Sequence, residues 1–305
     1  MEISDLIPTR CAICQTDGNA KELYPANFEI SLITPQIFSA RRLPDRFHYR
    51  LVKCNTCGLV RSDPIASQDT LTQLYNKSVF TYSDQVQSIK KTYGNYLKKL
   101  TGFGVKKNSL LEIGCGNGFF LEEAQSQGYQ VTWGIEPSED AILEARADLR
   151  ANIVCDMMRP GVFESNKFDV ICLFQVFDHI SDPGGLLDEC FNILKPSGLV
   201  LCLNHNIESW SANLFKESSP IIDIEHTFLY SPRTLSLLFQ KHGFTTRRIA
   251  PVHNIYDLSY LAHLFPLPIP IKKSTINFLN NTSFGKIQIS VPLGNLYIVA
   301  QKPDM

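Results

Sequence analysis

The chain contains the segment Leu110-Leu-Glu-Ile-Gly-Cys-Gly-Asn-Gly-Phe-Phe-Leu121, in which an apolar strand pattern passes through an acidic residue into three alternating glycines and then a helix pattern. The glycines have no Cβ, so the backbone can turn sharply there and lie against a ligand. A dinucleotide fingerprint would have its third glycine at position 119, where this chain has Phe119, and no Lys-Ser or Lys-Thr follows as in a triphosphate loop. Glu112 would be repelled by a pyrophosphate but suits a ligand that carries an ammonium and a sulfonium. The segment therefore predicts a strand-to-helix loop for a cationic ligand.

Further strand and helix patterns follow this loop in alternation. They are a helix over 117–127 and strands over 129–136, 152–156, 168–175 and 194–203, with an antiparallel edge strand expected from 286–302. The continuous apolar run over 168–175 is typical of a parallel strand that is buried on both faces. Alternating elements with short connections predict an α/β protein with a doubly wound, mostly parallel sheet, whose ligand lies at the carboxyl ends of the strands.

An acidic residue followed by G-x-G-x-G after the first strand resembles the first motif of the class I S-adenosylmethionine (SAM)-dependent methyltransferases, and the resemblance covers roughly residues 85–302. It implies a seven-stranded Rossmann-like sheet, SAM as the cofactor, and an acid, Glu136, that accepts both ribose hydroxyls. A solvated acid at a strand end is the alternative for Glu136. The resemblance also implies that Asp156 binds the adenine amino group and that Met157 packs on the ring. The cofactor-binding residues expected on this basis are Glu112, Gly114, Cys115, Gly116, Gly118, Phe119, Glu136, Pro137, Asp156, Met157, Gln175 and Tyr82.

Nine cysteines are distributed unevenly along the chain. Five are expected to be small buried apolar residues inside predicted elements, namely Cys115, Cys155, Cys172, Cys190 and Cys202. The other four form two C-x-x-C pairs, and four thiolates suit the tetrahedral preference of Zn²⁺. They are Cys11, Cys14, Cys54 and Cys57. Unpaired thiols or two redox dithiols are the alternative interpretation.

The run Tyr49-Arg-Leu-Val-Lys-Cys-Asn-Thr-Cys-Gly-Leu-Val60 resembles the N-terminal four-cysteine module of a subset of class I methyltransferases. Members of this subset act on nucleotide-linked sugars, natural-product intermediates and cell-surface glycans. The resemblance implies a structural zinc ion with no catalytic role and a module that lies over the acceptor site. Four protein ligands would leave no open position for an activated water.

The predicted organisation is a zinc-binding module, a helical cap or linker, and a SAM-binding methyltransferase domain. The expected boundaries are 1–65, 66–104 and 105–305, with acceptor-site insertions near 206–223 and 256–285. In the cap, Tyr75, Tyr82 and Tyr93 are candidates to contact the cofactor or the acceptor, although aromatic residues at helical spacing more often belong to the core.

Methyl transfer to a hydroxyl or an acidic carbon usually needs a general base. The segment from Asp223 to Pro232 resembles the family's Glu-His-x-x-x-x-Ser/Thr-Pro motif, which makes His226 the first candidate, with Glu225 holding its imidazole. His179 is the second candidate, with Asp178 to orient it. The alternative is that the pair of Glu225 and His226 only ties its loop down.

Composition limits the function further. The net charge is −1 and the pI is about 6.7, so no nucleic-acid partner is expected. No apolar run could span a bilayer and the first residues do not resemble a signal peptide, so the chain is expected to be cytoplasmic. We expect methyl transfer to a small-molecule, sugar or lipid-linked glycan acceptor, on oxygen rather than carbon. The alternatives are an RNA methyltransferase and a SAM-binding partner protein that has lost turnover.

The segment 261–273 is apolar, interrupted by proline and ended by two lysines. Its three closely spaced prolines argue against a regular helix there. A buried crossover segment is one interpretation, and peripheral contact with a membrane or a lipid-linked acceptor is the other.

Overall fold

The computed structural model describes residues 6–28, 47–67, 70–71, 86–264 and 268–304. Its N-terminal part contains five short strands, β1 (Leu6–Ile7), β2 (Ala20–Tyr24), β3 (Leu51–Cys54), β4 (Val60–Ser62) and β5 (Ile65–Ala66). Strand β1 pairs with β5, while β2, β3 and β4 form an antiparallel ladder in that order. The two Cys-containing turns lie beside this ladder, so the predicted N-terminal module has its own small sheet.

Seven of the remaining strands form the central sheet. These later strands are β6 (Ser109–Ile113), β7 (Val131–Ile135), β8 (Ile153–Val154), β9 (Phe168–Phe174), β10 (Leu194–His205), β11 (Phe228–Leu229), β12 (Thr245–Pro251), β13 (Asn254–Asp257), β14 (Gln288–Val291) and β15 (Asn295–Gln301). The order in the central sheet is β12-β15-β10-β9-β6-β7-β8, with β6 to β10 parallel and β15 antiparallel to both of its neighbours. The predicted doubly wound, mostly parallel, seven-stranded sheet is therefore confirmed.

Helices cover both faces of this sheet. In chain order the helices are α1 (Val86–Lys99), α2 (Phe119–Ser126), α3 (Glu139–Leu143), α4 (Ala147–Arg150), α5 (Pro183–Ile193), α6 (Trp210–Phe215), α7 (Pro232–Lys241), α8 (Leu258–Leu264) and α9 (Ile269–Asn280), of which α8 packs on β13 and α9 packs on α8. Helix α7 begins where Ser231 accepts a hydrogen bond from the Thr234 N–H at 3.2 Å, and Pro232 occupies its first turn, where a missing N–H costs nothing. No helix among the described residues has both the length and the apolar character needed to cross a membrane.

Two apolar cores lie on opposite faces of the sheet, because successive strand residues point to opposite sides. Leu111 and Ile113 of β6 face one core, which contains α5, α7 and the cysteines of the N-terminal module. Leu110 faces the other core, which contains α1 and α2. The N-terminal module thus packs into the same core as half of the central sheet.

The structure corrects the expected edge strand. Residues 288–291 do not join the central sheet but pair with β13, and β15 lies inside the sheet between β10 and β12. The edge is β12, which follows helix α7. The apolar pattern of 295–301 alone could not distinguish an edge from an inner position, because β15 is covered on both faces.

Two further expectations were wrong. The segment expected to lack a regular helix contains most of α8 and the start of α9, since Pro270 lies in the first turn of α9 and so interrupts no helical hydrogen bond. Cys155 is exposed, because β8 ends at Val154 and leaves the thiol beyond the strand.

The boundary at residue 65 does not separate the two parts cleanly. Strand β11 pairs antiparallel with β4, where Phe228 lies opposite Arg61 and Leu229 opposite Val60. A segment that follows the fifth parallel strand therefore completes the sheet of the N-terminal module.

Candidate functional site

The carboxyl ends of the parallel strands open into a cavity of about 800 Å³. All but two of the predicted cofactor residues line it, namely Glu112, Gly114, Cys115, Gly116, Phe119, Glu136, Pro137, Asp156, Met157 and Gln175. Gly118 instead forms the N-cap of α2, with φ 73°. Tyr82 lies outside the described residues, as does Tyr75. The sequence prediction of where a ligand would lie therefore agrees with the position of the cavity.

The glycine loop needs glycine for two measurable reasons. Gly114, Gly116 and Gly118 have φ angles of 73°, 52° and 73°, in the left-handed region that other residues rarely adopt. A Cβ at position 114 would also lie 2.5 Å from Cγ2 of Val176. The loop can keep this path beside the cavity only without side chains.

The carboxylates of Glu112 and Glu136 lie beside this loop. Glu112 is buried, and its Oε2 has no hydrogen-bond partner among the described residues. Burial, reinforced by the charge of Glu136, raises the pKa of Glu112 well above its usual range. A hydrogen-bond donor or a cation in the cavity would satisfy the unpaired oxygen and would compensate the buried negative charge. Glu112 therefore fits the ammonium-bearing part of SAM.

Glu136 ends the second parallel strand as predicted, and its carboxylate is already ordered by the loop. Oε2 accepts a hydrogen bond from the Gly116 N–H at 2.9 Å, and Oε1 accepts one from the Ser138 N–H at 3.0 Å. Burial raises the pKa of Glu136, and these two N–H groups lower it in part. The carboxylate is thus held in one orientation, which suits a bidentate contact with ribose hydroxyls.

Asp156 is held by a residue that the sequence prediction missed. Its Oδ1 accepts from the Met157 N–H at 2.7 Å, and its Oδ2 pairs with Nη2 of Arg159 at 2.7 Å. Arg159 also lines the cavity. Its spacing of three residues from Asp156 was the signal available in the sequence.

Cys115 has a packing role that the glycine motif does not reveal. A Cβ at Gly134 of β7 would come within 2.4 Å of the Cys115 sulfur, so the thiol fills the space that this glycine leaves open. Burial raises the pKa of the Cys115 thiol well above its usual range. The thiol is therefore neutral and unsuited to nucleophilic chemistry.

Tyr93 of α1 forms part of the cavity wall, as the sequence suggested for this aromatic residue. Its ring stacks on Phe174 at 4.2 Å between centroids and on Phe119 at 6.1 Å. These contacts connect the cap helix to the end of β9 and to the start of α2.

A cluster of three histidines around one carboxylate lies at the same cavity, which all three imidazoles line. Asp178 is fully buried in the short 3₁₀ helix that follows β9. Its Oδ2 lies 2.5 Å from Nδ1 of His205, the last residue of β10, and 3.9 Å from Nε2 of His226. Its Oδ1 lies 3.8 Å from Nε2 of His179. Burial alone would raise the pKa of Asp178, but the three imidazoles hold it below its usual range.

The cluster changes the predicted pairing. Asp178 hydrogen-bonds His205 and not His179, the residue that it was expected to orient. The sequence prediction missed His205, which lies two residues beyond the predicted strand 194–203 and ends β10 in the structure. The proposed support of His226 by Glu225 stays a prediction, because the carboxylates that raise the pKa of His226 are Asp178 and Asp223.

His226 has a defined tautomer. Its Nδ1 lies 2.8 Å from the carbonyl oxygen of Ile221, which can only accept, so Nδ1 carries the proton. Burial and the neighbouring His205 lower the pKa of His226, and burial lowers the pKa of His179 to about 4. Both imidazoles are therefore neutral near pH 7, and the lone pair of His226 is on Nε2, which is free to take a proton.

Among the described residues, two groups could hold a metal ion. The ligand atoms of Asp178, His179 and His226 lie within 4.8 Å of one another, which is a two-histidine, one-carboxylate set. The second group is the four predicted zinc ligands, Cys11, Cys14, Cys54 and Cys57, which also converge within 4.8 Å.

The four thiols fit zinc by distance, and Cys54 fits it by acidity as well. Sulfurs of Cys11 and Cys57 are 3.4 Å apart and those of Cys14 and Cys54 are 3.9 Å apart. Tetrahedral Zn–S bonds of about 2.3 Å place sulfurs about 3.8 Å apart. Burial would raise the pKa of Cys54, but N–H groups of Cys57 and Thr56 directed at its sulfur lower it to about 6. Such N–H groups favour the thiolate that zinc requires.

The N-terminal module contacts the histidine cluster directly. Ser62 donates through Oγ to the carbonyl of His226 at 2.9 Å and through its N–H to the carbonyl of Thr227 at 2.9 Å. Thr227 in turn donates its N–H to the carbonyl of Asp178 at 2.9 Å. The module therefore helps to position two residues of the cluster.

The sequence matches a protein family and several curated proteins. The family described as "Methyltransferase domain" matches residues 87–249. Ubiquinone biosynthesis O-methyltransferase of Neisseria meningitidis serogroup C is 28% identical over 110 residues, which are 33% of this chain and 46% of the relative. The enzyme of the same name from Yersinia pestis is 29% identical over 126 residues, or 38% and 50% of the two chains. This chain spans about half the length of these curated relatives.

A solved structure shows the same fold. It is described as the complex between the Haloferax volcanii Trm112 methyltransferase activator and the methyltransferase, and it aligns with a TM-score of 0.50 and 16% identity. The alignment covers 72% of this chain and 95% of the other.

Proposed function

We propose that this chain, which belongs to the methyltransferase domain family, is a SAM-dependent methyltransferase that methylates an oxygen atom of a small-molecule acceptor with His226 as the general base. The observation that carries the proposal is that the glycine loop and the three histidines around Asp178 line one cavity. The O-methyltransferase names of the relatives support oxygen as the acceptor atom. A sugar or lipid-linked glycan remains within the proposed acceptor class, and methylation of an acidic carbon is the second candidate because the same base would serve it.

When bound, SAM supplies an electrophilic methyl group on its sulfonium. The residues of this chain contribute position and proton transfer. Glu112, Glu136 and Asp156 would hold the cofactor at the strand ends. His226 accepts the acceptor proton on Nε2 while the backbone carbonyl of Ile221 fixes its other nitrogen. General base catalysis of this kind contributes about 10²- to 10⁴-fold to a rate.

Asp178 would stabilise the protonated base. The imidazolium that forms at His226 lies 3.9 Å from a fully buried carboxylate, where the two charges attract strongly. Burial and the neighbouring His205 oppose this charge and lower the pKa of His226, whereas the carboxylates of Asp178 and Asp223 raise it in part. The carboxylates therefore offset part of the cost of protonating His226 during turnover.

Zinc is part of the proposal as a structural ion. Cys11, Cys14, Cys54 and Cys57 would bind it with no position left for substrate. Its effect on catalysis would be indirect, through the hydrogen bonds that connect Ser62 to the His226 segment.

The test is the variant His226→Ala in the full chain. Release of S-adenosylhomocysteine is followed with a panel of phenols, sugar nucleotides and lipid-linked sugars, and the methylated product is located by mass spectrometry. We expect at least about a tenfold fall in methyl transfer, nearly unchanged SAM affinity by calorimetry, and partial rescue by added imidazole.

The matched control is His253→Ala, which removes an exposed histidine outside the cavity wall. Its turnover should equal that of the unmodified chain. Full turnover in His226→Ala would exclude His226 as the base. If turnover of the unmodified chain required added Mg²⁺ or Mn²⁺, Asp178, His179 and His226 would instead be assigned to a metal site.

A further inference from the structure

The region between β13 and β15 exposes an unusual amount of apolar surface. Eleven large apolar side chains are exposed among the described residues, and five of them fall between 269 and 287. Helix α9 has no buried residue at all, although its sequence is rich in Ile, Leu and Phe. A core helix or a crossover segment would bury these side chains, so something outside the described fold must cover them or they remain in water.

Most of these side chains form one patch. Ile271 and Phe278 are two helical turns apart on α9 and therefore share a face. Phe284, in the turn after the helix, stacks on Phe278 with 6.4 Å between centroids and an interplanar angle of 16°. We define the basic apolar patch by four exposed apolar residues and the three lysines, Ile271, Phe278, Phe284, Ile287, Lys272, Lys273 and Lys286.

The charge of this region is one-sided. Between positions 258 and 294 the sequence contains three lysines and no aspartate or glutamate, although the whole chain carries −1. Lys91 of α1 adds a further cation, since its Nζ reaches Oε1 of Gln288 at 2.8 Å. Exposed apolar and aromatic groups beside uncompensated lysines are the composition of a helix that lies in a membrane interface.

We propose that the basic apolar patch docks on the surface of an anionic lipid bilayer. Phe278, Phe284 and Ile271 would enter the boundary between headgroups and acyl chains, and the lysines would approach the phosphates. A second copy of the chain is a poorer occupant, because a symmetric interface would bring the lysines of the two patches together with no acid to pair with them.

The patch is continuous with the cavity wall. Tyr256 of β13 and Tyr260 of α8 line the cavity and stack on each other at 5.6 Å. Strand β13 pairs with β14, which immediately follows the patch. Docking would therefore bring one wall of the cavity close to the lipid surface, from which an acceptor of low water solubility could enter. Docking itself does not depend on the proposed methyl transfer.

Vesicle binding of the full chain tests the proposal without SAM or an acceptor. Co-sedimentation is measured with vesicles of phosphatidylcholine alone and of phosphatidylcholine mixed with phosphatidylglycerol. We expect binding to the mixed vesicles that weakens with added salt. Phe278→Ser should lower the partition coefficient about tenfold, because it removes an exposed aromatic ring that lipid would bury. Lys273→Gln with Lys286→Gln should lower it about fivefold per lysine.

The matched control is Leu143→Ser, which removes a side chain 63% exposed at the end of α3, outside the patch. It should bind vesicles like the unmodified chain. Equal losses in Leu143→Ser and Phe278→Ser, or equal binding to neutral and anionic vesicles, would overturn the proposal. A dimer in sedimentation that Phe278→Ser dissociates would overturn it as well, since the patch would then be an interface between copies.

Discussion

At the scale of single residues, the most consequential arrangement is the sharing of one buried carboxylate by three imidazoles. Oxygens of Asp178 lie 3.8 Å from Nε2 of His179, 2.5 Å from Nδ1 of His205 and 3.9 Å from Nε2 of His226. The motif around residue 226 predicted His226, and the loop after the fourth strand predicted His179. It could not predict His205, because only the pairing of β10 beside β9 brings its ring to Asp178. Sequence spacing identifies the element that carries a residue but not its partner across a sheet.

The glycine loop allows a prediction at this scale. Gly114→Ala places a Cβ 2.5 Å from Val176 in a residue with φ 73°, so the loop must move or the β9 end must shift. We expect SAM affinity to fall at least about tenfold by calorimetry.

Gly102→Ala is the control, because a Cβ there meets no atom within 4 Å. It should bind SAM normally. Unchanged affinity in Gly114→Ala would show that the loop can move away from Val176 without effect on the cofactor.

At the scale of elements, periodicity predicted the parallel strands well and the connections poorly. The strands β6 to β9 lie within the predicted ranges because their apolar runs face cores on both sides. The position of β15 depends on which neighbour pairs with it, which is not a local property. Helix α9 was missed because proline was taken as a breaker, whereas Pro270 lies where the helix needs no N–H.

The N-terminal module gives a prediction for an element. Cys54→Ser removes one of the four thiols and should abolish stoichiometric zinc in metal analysis and lower the melting temperature. Methyl transfer should also fall, because Ser62 of the adjoining strand holds the His226 carbonyl.

Cys155→Ser is the matched control, since this thiol is exposed and outside the cluster. It should keep its zinc and its melting temperature. An unmodified chain purified without zinc, with the same stability as Cys54→Ser, would favour the alternative of free thiols.

At the scale of the whole molecule, the buried histidines make stability depend on pH. The unfolded chain takes up protons near the ordinary histidine pKa of 6.5, but burial lowers the pKa of His179 to about 4 and lowers that of His226 as well. Between these values the unfolded state binds more protons than the folded state, so acid favours unfolding in this window. The free energy of unfolding falls further at still lower pH, because the pKa of Asp178 in the folded chain lies below the ordinary 3.8.

Thermal denaturation across pH measures this effect. We expect the melting temperature to change little above pH 7 and to fall by about 5 °C or more as the pH drops from about 6.5 toward 4. His179→Gln removes one titrating group from the cavity and should flatten this decline. An equally steep decline in His179→Gln would mean that other groups cause it.

The pairing of β11 with β4 has a consequence for synthesis on the ribosome. Ser62 and its partner His226 are 164 residues apart, so β4 leaves the ribosome long before the segment that completes its sheet. A nascent chain thus carries an open strand edge, which is a site for wrong pairing with other chains, until most of the polypeptide has been made. Zinc uptake by the four cysteines can precede closure of that edge, and a ribosome that stalls before residue 228 would leave it open.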